Sequence, residues 1–253
     1  MLRTMATSST ATTPSSAAML ELLGVEYLHW RLSDGGDLYV TRHGRPFAAQ
    51  LHPESWFAED WFEANREKLV GTSTVYRART RPVGGRPPLD VVVKWCRVGA
   101  QIPMDTFTFT QFVEAEFNSP YEEFALVMEL RADPRPPRLL AHKPLGVYVP
   151  PHRLELWQLG RSLARMERKK ALYREVELDI YRQYILIYQW IKGCSLTEYY
   201  SAQPGGLAAH HAEVTAITHQ CQLDLEAKGF RVLDFKPEHI IVRPQRDGRL
   251  LRR

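Results

Sequence analysis

The stretch Val232-Leu233-Asp234-Phe235-Lys236-Pro237-Glu238-His239-Ile240-Ile241-Val242 constrains the fold more than any other part of the chain. An Asp and a Lys two apart, followed by Pro, read as a tight polar turn, and the β-branched run after it reads as a short strand. Charges presented beside a buried strand are costly unless they are paired or face solvent.

With 253 residues the chain is long enough for one large domain or two small lobes with real cores. Its apolar share of 44% and charged share of 25% are ordinary for a globular protein, and no apolar run reaches the roughly 18–20 residues that span a bilayer. No membrane span is expected. Cys96, Cys194 and Cys221 are widely spaced and form no C-x-x-C pair, which argues against a disulfide framework or a zinc site and points to the reducing cytoplasm. The formal charge of +4 comes from scattered Arg and Lys, apart from the clusters at 165–170 and 252–253, so nucleic acid is not an expected partner. A solvated basic face, or a mild preference for acidic ligands such as nucleotides, fits better.

Residues 1–18, rich in Ser, Thr and Ala, have the composition of a disordered tail. Residues 19–65 read as an extension of short strands and one helix: Tyr39-Val40-Thr41 is extended, and Ser55 caps a helix through Trp56, Phe57, Trp61 and Phe62, with Glu59 and Asp60 in its early turns. Val75–Ala78 and Leu89–Trp95 form an antiparallel hairpin around Gly84-Gly85 and Pro87-Pro88. Pro120 opens a helix that runs from Tyr121 to Arg131, with Phe124, Val127 and Leu130 on one stripe, and Asp133-Pro134 ends it. Leu156, Leu159, Leu163 and Met166 make 154–173 a second amphipathic segment, Tyr184–Ile191 is a buried strand, and a third helix runs from about His211 to Lys228 with Gly229 as its stop.

Lys94 ends the Val91-Val92-Val93 strand, where an ammonium has few uses inside a core unless it is paired. The helix that follows supplies two acids, Glu122 and Glu123; Val127 and Leu130 fall four and seven residues after Glu123, which puts Glu123 with the apolar stripe and leaves Glu122 to solvent.

The 232–242 string resembles the catalytic loop of eukaryotic-type protein kinases, H-R-D-x-K-P-x-N followed by a short apolar strand. Asp234, Lys236, Pro237 and Glu238 match it, whereas Val232 and Leu233 stand for the His and Arg, and His239 stands for the metal-binding Asn. The Val91-Val92-Val93-Lys94 run resembles the V-A-I-K of the same family, and Tyr188–Leu196 resembles its interlobe hinge. The fold class implied is α+β and protein-kinase-like: an antiparallel-sheet N-lobe with one regulatory-type helix over 66–192, a helical insertion at about 154–175, and a partial helical C-lobe over 193–253.

By the same resemblance Asp234 orients the substrate hydroxyl, Lys236 neutralises the transferring phosphoryl group, and Lys94, held by Glu123, contacts the nucleotide phosphates. The Gln189 carbonyl and the Ile191 N–H would meet the adenine edge. Gly71 is the one glycine of a poor phosphate loop, with Lys68, Val70 and Ser73 at the family's glycine positions. ATP and magnesium are the implied ligands and a protein hydroxyl the implied acceptor. Magnesium is put in question by His239, read either as a structural histidine or as a shifted metal preference, and by the end of the chain at Arg253 before any D-F-G-like carboxylate. Asp247-Gly248 reads as a hairpin turn. Weak or absent catalysis is therefore expected of a C-terminally shortened domain. A pseudokinase-type module that binds nucleotide or protein is one alternative, and a small-molecule or lipopolysaccharide-type kinase, disfavoured by Lys236, is another.

Overall fold

The structure is a computed structural model that describes residues 17–69, 74–101, 116–137, 139–173, 176–232, 234–244 and 250–252. Gly71, Leu233 and the Asp247-Gly248 turn lie outside the described residues. The fold is mixed α+β, with one large antiparallel sheet and several helices.

Eight strands among the described residues make that sheet: β1 (Ala18–Leu22), β2 (Val25–Arg31), β3 (Asp37–Thr41), β4 (Arg66–Lys68), β5 (Val75–Arg79), β6 (Asp90–Trp95), β7 (Pro144–Val149) and β8 (Ile185–Gln189), in the order β1-β2-β3-β7-β8-β6-β5-β4. The expected hairpin forms, with Val75 opposite Lys94 and Arg79 opposite Asp90. The strands of 18–41 continue the same sheet, because β3 pairs along β7 from Asp37–Val149 to Val40–Gly146. Gly146 is required there: a Cβ on it would sit 2.7 Å from the Tyr39 carbonyl oxygen.

Strand alternation sorts side chains to the two faces. Val91 and Val93 of β6, with Ile185 and Ile187 of β8, join Leu38, Val40, Trp56 and Phe62 in one core. Val92, Leu186 and Tyr188 join Tyr27, Tyr121 and Phe124 in the other. The first core is covered by α1 (Ala48–Leu51), α2 (Glu59–Ala64) and the aromatic residues around them. The second is covered by α3 (Pro120–Ala132) and by the segment between β7 and β8, which carries α4 (Leu156–Leu159) and α5 (Leu163–Leu172).

Three local expectations need correction. Ser55 does not cap the aromatic helix: it ends a 3-10 turn at Pro53–Ser55 and donates to the Ala49 carbonyl at 3.0 Å, while α2 starts at Glu59 behind Ala58. Segment 154–173 is two helices, because Gly160 adopts φ +60° and ends the first; Leu163 is exposed while Met166 is fully buried. The inward stripe of α3 is Tyr121, Phe124, Ala125 and Met128, set by the tyrosine-rich sheet face it covers, and Val127 and Leu130 are half-buried beside it.

After β8 the chain forms β9 (Cys194–Ser195), α6 (Leu196–Ser201), α7 (Gly206–Ala209), α8 (His211–Glu226), β10 (Ile241–Pro244) and β11 (Leu250–Arg252). The last three strands pair in the order β11-β10-β9. Leu196, Tyr200, Val214, Ile240 and Val242 make a small third core. Gly229 has φ +85° and stops α8 as its position implied. No helix among the described residues is long and apolar enough to cross a membrane.

Candidate functional site

Period two along β6 puts Lys94 on the face that α3 covers. α3 is placed by a strong start: Ser119 accepts from the Glu122 N–H while the Glu122 carboxylate accepts from the Ser119 N–H, with Pro120 at the first helical position. One turn of that helix then carries two neighbouring carboxylates pointing about 100° apart.

Glu123 faces the sheet. Lys94 Nζ donates to its two oxygens at 2.7 and 2.8 Å, and the Tyr188 hydroxyl from β8 donates to the first of them at 2.7 Å. Burial, followed by the Glu123 charge, pushes the Tyr188 phenol well up, so it remains a donor. The Lys94 side chain keeps 32% of its surface exposed, so the ammonium has an open side as well as a counter-ion. Cys96, two residues on, is buried, and its thiol is pushed up to about 12 by burial, followed by Glu123; it is not a nucleophile.

The expectation for Glu122 is wrong. It is buried, and Lys169 of α5 donates to it at 3.0 Å, with only 8% and 9% of the two side chains exposed. His142 joins the site from the segment before β7: its ring lies 4.9 Å from that of Tyr188, and desolvation pushes its pKa down against the pull of Glu123. A histidine in the sequence before β7 gives no signal of which side chain it will meet.

The 234–239 loop lies against α6 and α8. Pro237–His239 forms a 3-10 turn, Thr197 donates to Glu238 at 3.1 Å, and Ile240 enters the third core. Asp234 and Lys236 pair with each other at 3.0 Å, with 61% and 38% of their side chains exposed. Such an exposed pair contributes about 0–1 kcal/mol, so a phosphate could take the lysine over at little cost. His239 is exposed, yet desolvation on its protein side lowers its pKa; Asp234 and Glu238 oppose this, and Lys236 and Lys94 add to it.

The connection between the two parts is short. Gln189 ends β8, the Trp190 N–H donates to the Asp90 carbonyl at 3.2 Å, Arg77 stacks 4.7 Å over the Trp190 ring, and Ile191 is half-buried beyond it. Gly193 then takes φ +152°, where a Cβ would meet the Val242 carbonyl oxygen at 2.6 Å. Gly193→Ala is therefore expected to cost about 1–3 kcal/mol, read as a lower urea midpoint, because it pushes the connection off β10.

Among the described residues no three His, Cys, Asp or Glu side chains converge to hold a metal ion. A magnesium ion wants hard oxygen donors, and the loop supplies the Asp234 carboxylate, already paired to Lys236, the Glu238 carboxylate, already bonded to Thr197, and an imidazole. The described residues do not fit magnesium. Comparison of the chain with protein-family models, with curated proteins and with solved structures gives no match in any of the three.

Proposed function

We propose that the chain is a divergent protein-kinase-like domain that binds ATP through Lys94 and transfers phosphoryl groups to a protein hydroxyl weakly or not at all. The observation that carries this is the Lys94–Glu123 pair with its Tyr188 support. A lysine on the third strand of the 66–189 unit, fixed by a carboxylate from the helix that follows, is the arrangement by which protein kinases hold a cation over nucleotide phosphates. The solvent-exposed Asp234–Lys236 pair supports the same reading.

The expectation of weak chemistry follows from electrostatics. Phosphoryl transfer depends chiefly on stabilising charge that develops at the transferring group. Here that stabilisation falls to Lys94 and Lys236, since the described donor set does not suit magnesium.

ATP without metal should raise the melting temperature. At about 100 times Kd the stabilisation is about 2.7 kcal/mol, or roughly 5–11 °C for a chain of this size. Lys94→Ala should abolish the shift while leaving the far-UV circular dichroism unchanged. No shift in the folded wild type would overturn the nucleotide reading. Robust transfer of labelled phosphate that Asp234→Asn eliminates would overturn the weak-catalysis part alone.

A further inference from the structure

Two adjacent lysine and arginine side chains of α5 hold the entrance of α3 from both sides of its cap. Arg168 pairs with Glu116 at 2.7 Å, just before Ser119, and Lys169 pairs with Glu122 at 3.0 Å, just after it. Met166 of the same helix is fully buried in the core that contains Tyr121 and Phe124. The next lysine, Lys170, forms an exposed pair with Glu167 on its own helix. α5 is anchored in turn: Arg161 donates to the Ile180 and Arg182 carbonyls at 2.9 and 2.7 Å, and the Ser162 N–H donates to the Gly99 carbonyl at 2.9 Å.

Glu122 and Glu123 point about 100° apart around α3. Packing of Tyr121 and Phe124 on the sheet sets which stripe of the helix faces inward, but apolar contact is non-directional and leaves small rotations about the helix axis cheap. An ion pair at a fixed azimuth narrows them. We propose that Lys169 is a positioning residue, and that α5 is a built-in brace which sets the rotation of α3 and so delivers Glu123 to Lys94. The consequence for nucleotide affinity rests on the proposed function; the brace itself does not.

The test reads Lys94 directly. Limited acetylation of the full chain with an N-hydroxysuccinimide ester, followed by peptide mass spectrometry, measures labelling of Lys94 against the exposed Lys143 and Lys192. Glu123→Gln sets the level for a broken Lys94 pair. Because Lys169→Met alone strands a buried carboxylate and could fail to fold, the deciding variant is the double Glu122→Gln/Lys169→Met, which removes the ion pair without leaving a lone charge.

If the brace works, the double variant keeps its circular dichroism and its Lys143 and Lys192 labelling, and loses the protection of Lys94 to the Glu123→Gln level. Wild-type protection of Lys94 in the folded double variant would overturn the proposal, and so would equal labelling in wild type and Glu123→Gln. A labelling contrast without any ATP-induced melting shift would leave the brace standing and remove the nucleotide reading. A melting shift with flat labelling would do the reverse.

Discussion

Asp37→Ala is expected to lower stability by about 3–5 kcal/mol, or roughly 6–20 °C in melting temperature, among the largest losses a single substitution can produce in this chain. Asp37 opens β3 with 7% of its side chain exposed; it accepts from His29 at 3.0 Å and from Arg31 at 3.0 Å on both oxygens, and forms an ion pair with Arg182 at 3.3 Å. Arg182, itself 11% exposed, comes from the turn before β8 and also donates to the Val149 and Pro150 carbonyls at 2.9 Å each. One carboxylate thus ties the 25–41 hairpin to the end of β7 and the start of β8. Removing it leaves a buried guanidinium without its counter-charge. Asp37→Asn should lose less, since an amide oxygen still accepts. The control is Glu26→Ala, which breaks an exposed 3.6 Å pair with Arg45 and should move the urea midpoint by less than about 0.5 kcal/mol equivalent. Equal midpoints for Asp37→Ala and Glu26→Ala would refute the argument.

Local signals were the legible ones. The β5–β6 hairpin follows from a β-branched run and a Gly-Pro turn, and α3 from Pro120 at one end and Asp133-Pro134 at the other. Gly160 was a stop signal overlooked because Leu159, Leu163 and Met166 happen to continue a helical spacing across it. The Ser195-x-x-Glu198 capping box that starts α6 is a local signal too, half hidden by the hinge resemblance that ends at Leu196. What no local pattern could give was pairing across distance. The addition of β3 to β7, the bond from Tyr188 to Glu123, and the Lys169–Glu122 contact each join residues far apart in sequence. The choice of Glu123 for Lys94 was correct in outcome and wrong in reason, since the buried stripe of α3 is not the one containing Val127 and Leu130. Two acids in a first helical turn are both favoured by the helix dipole, so only the surrounding cations could tell them apart.

Those two neighbours should therefore differ most in what they do to stability. Glu122→Ala leaves Lys169 buried without a counter-charge and removes half of the capping box, so a loss of about 3–5 kcal/mol is expected. Nucleotide binding measured well below the melting temperature should fall too, because α3 loses the contact that sets its rotation. Glu123→Gln removes the charge of a pair whose side chains are 32% and 21% exposed, and the amide oxygen still accepts from Tyr188, so the stability change should stay within about 1 kcal/mol. Its effect should appear in the ligand experiment instead: Lys94 loses the carboxylate that aims it, and the ATP-induced melting shift shrinks towards that of Lys94→Ala. Urea midpoints and ATP shifts on the two variants separate the roles. If Glu122→Ala proves as stable as wild type, the Lys169 contact is not formed in solution. If Glu123→Gln keeps the full ATP shift, the carboxylate is a structural partner of Tyr188 and takes no part in holding phosphate.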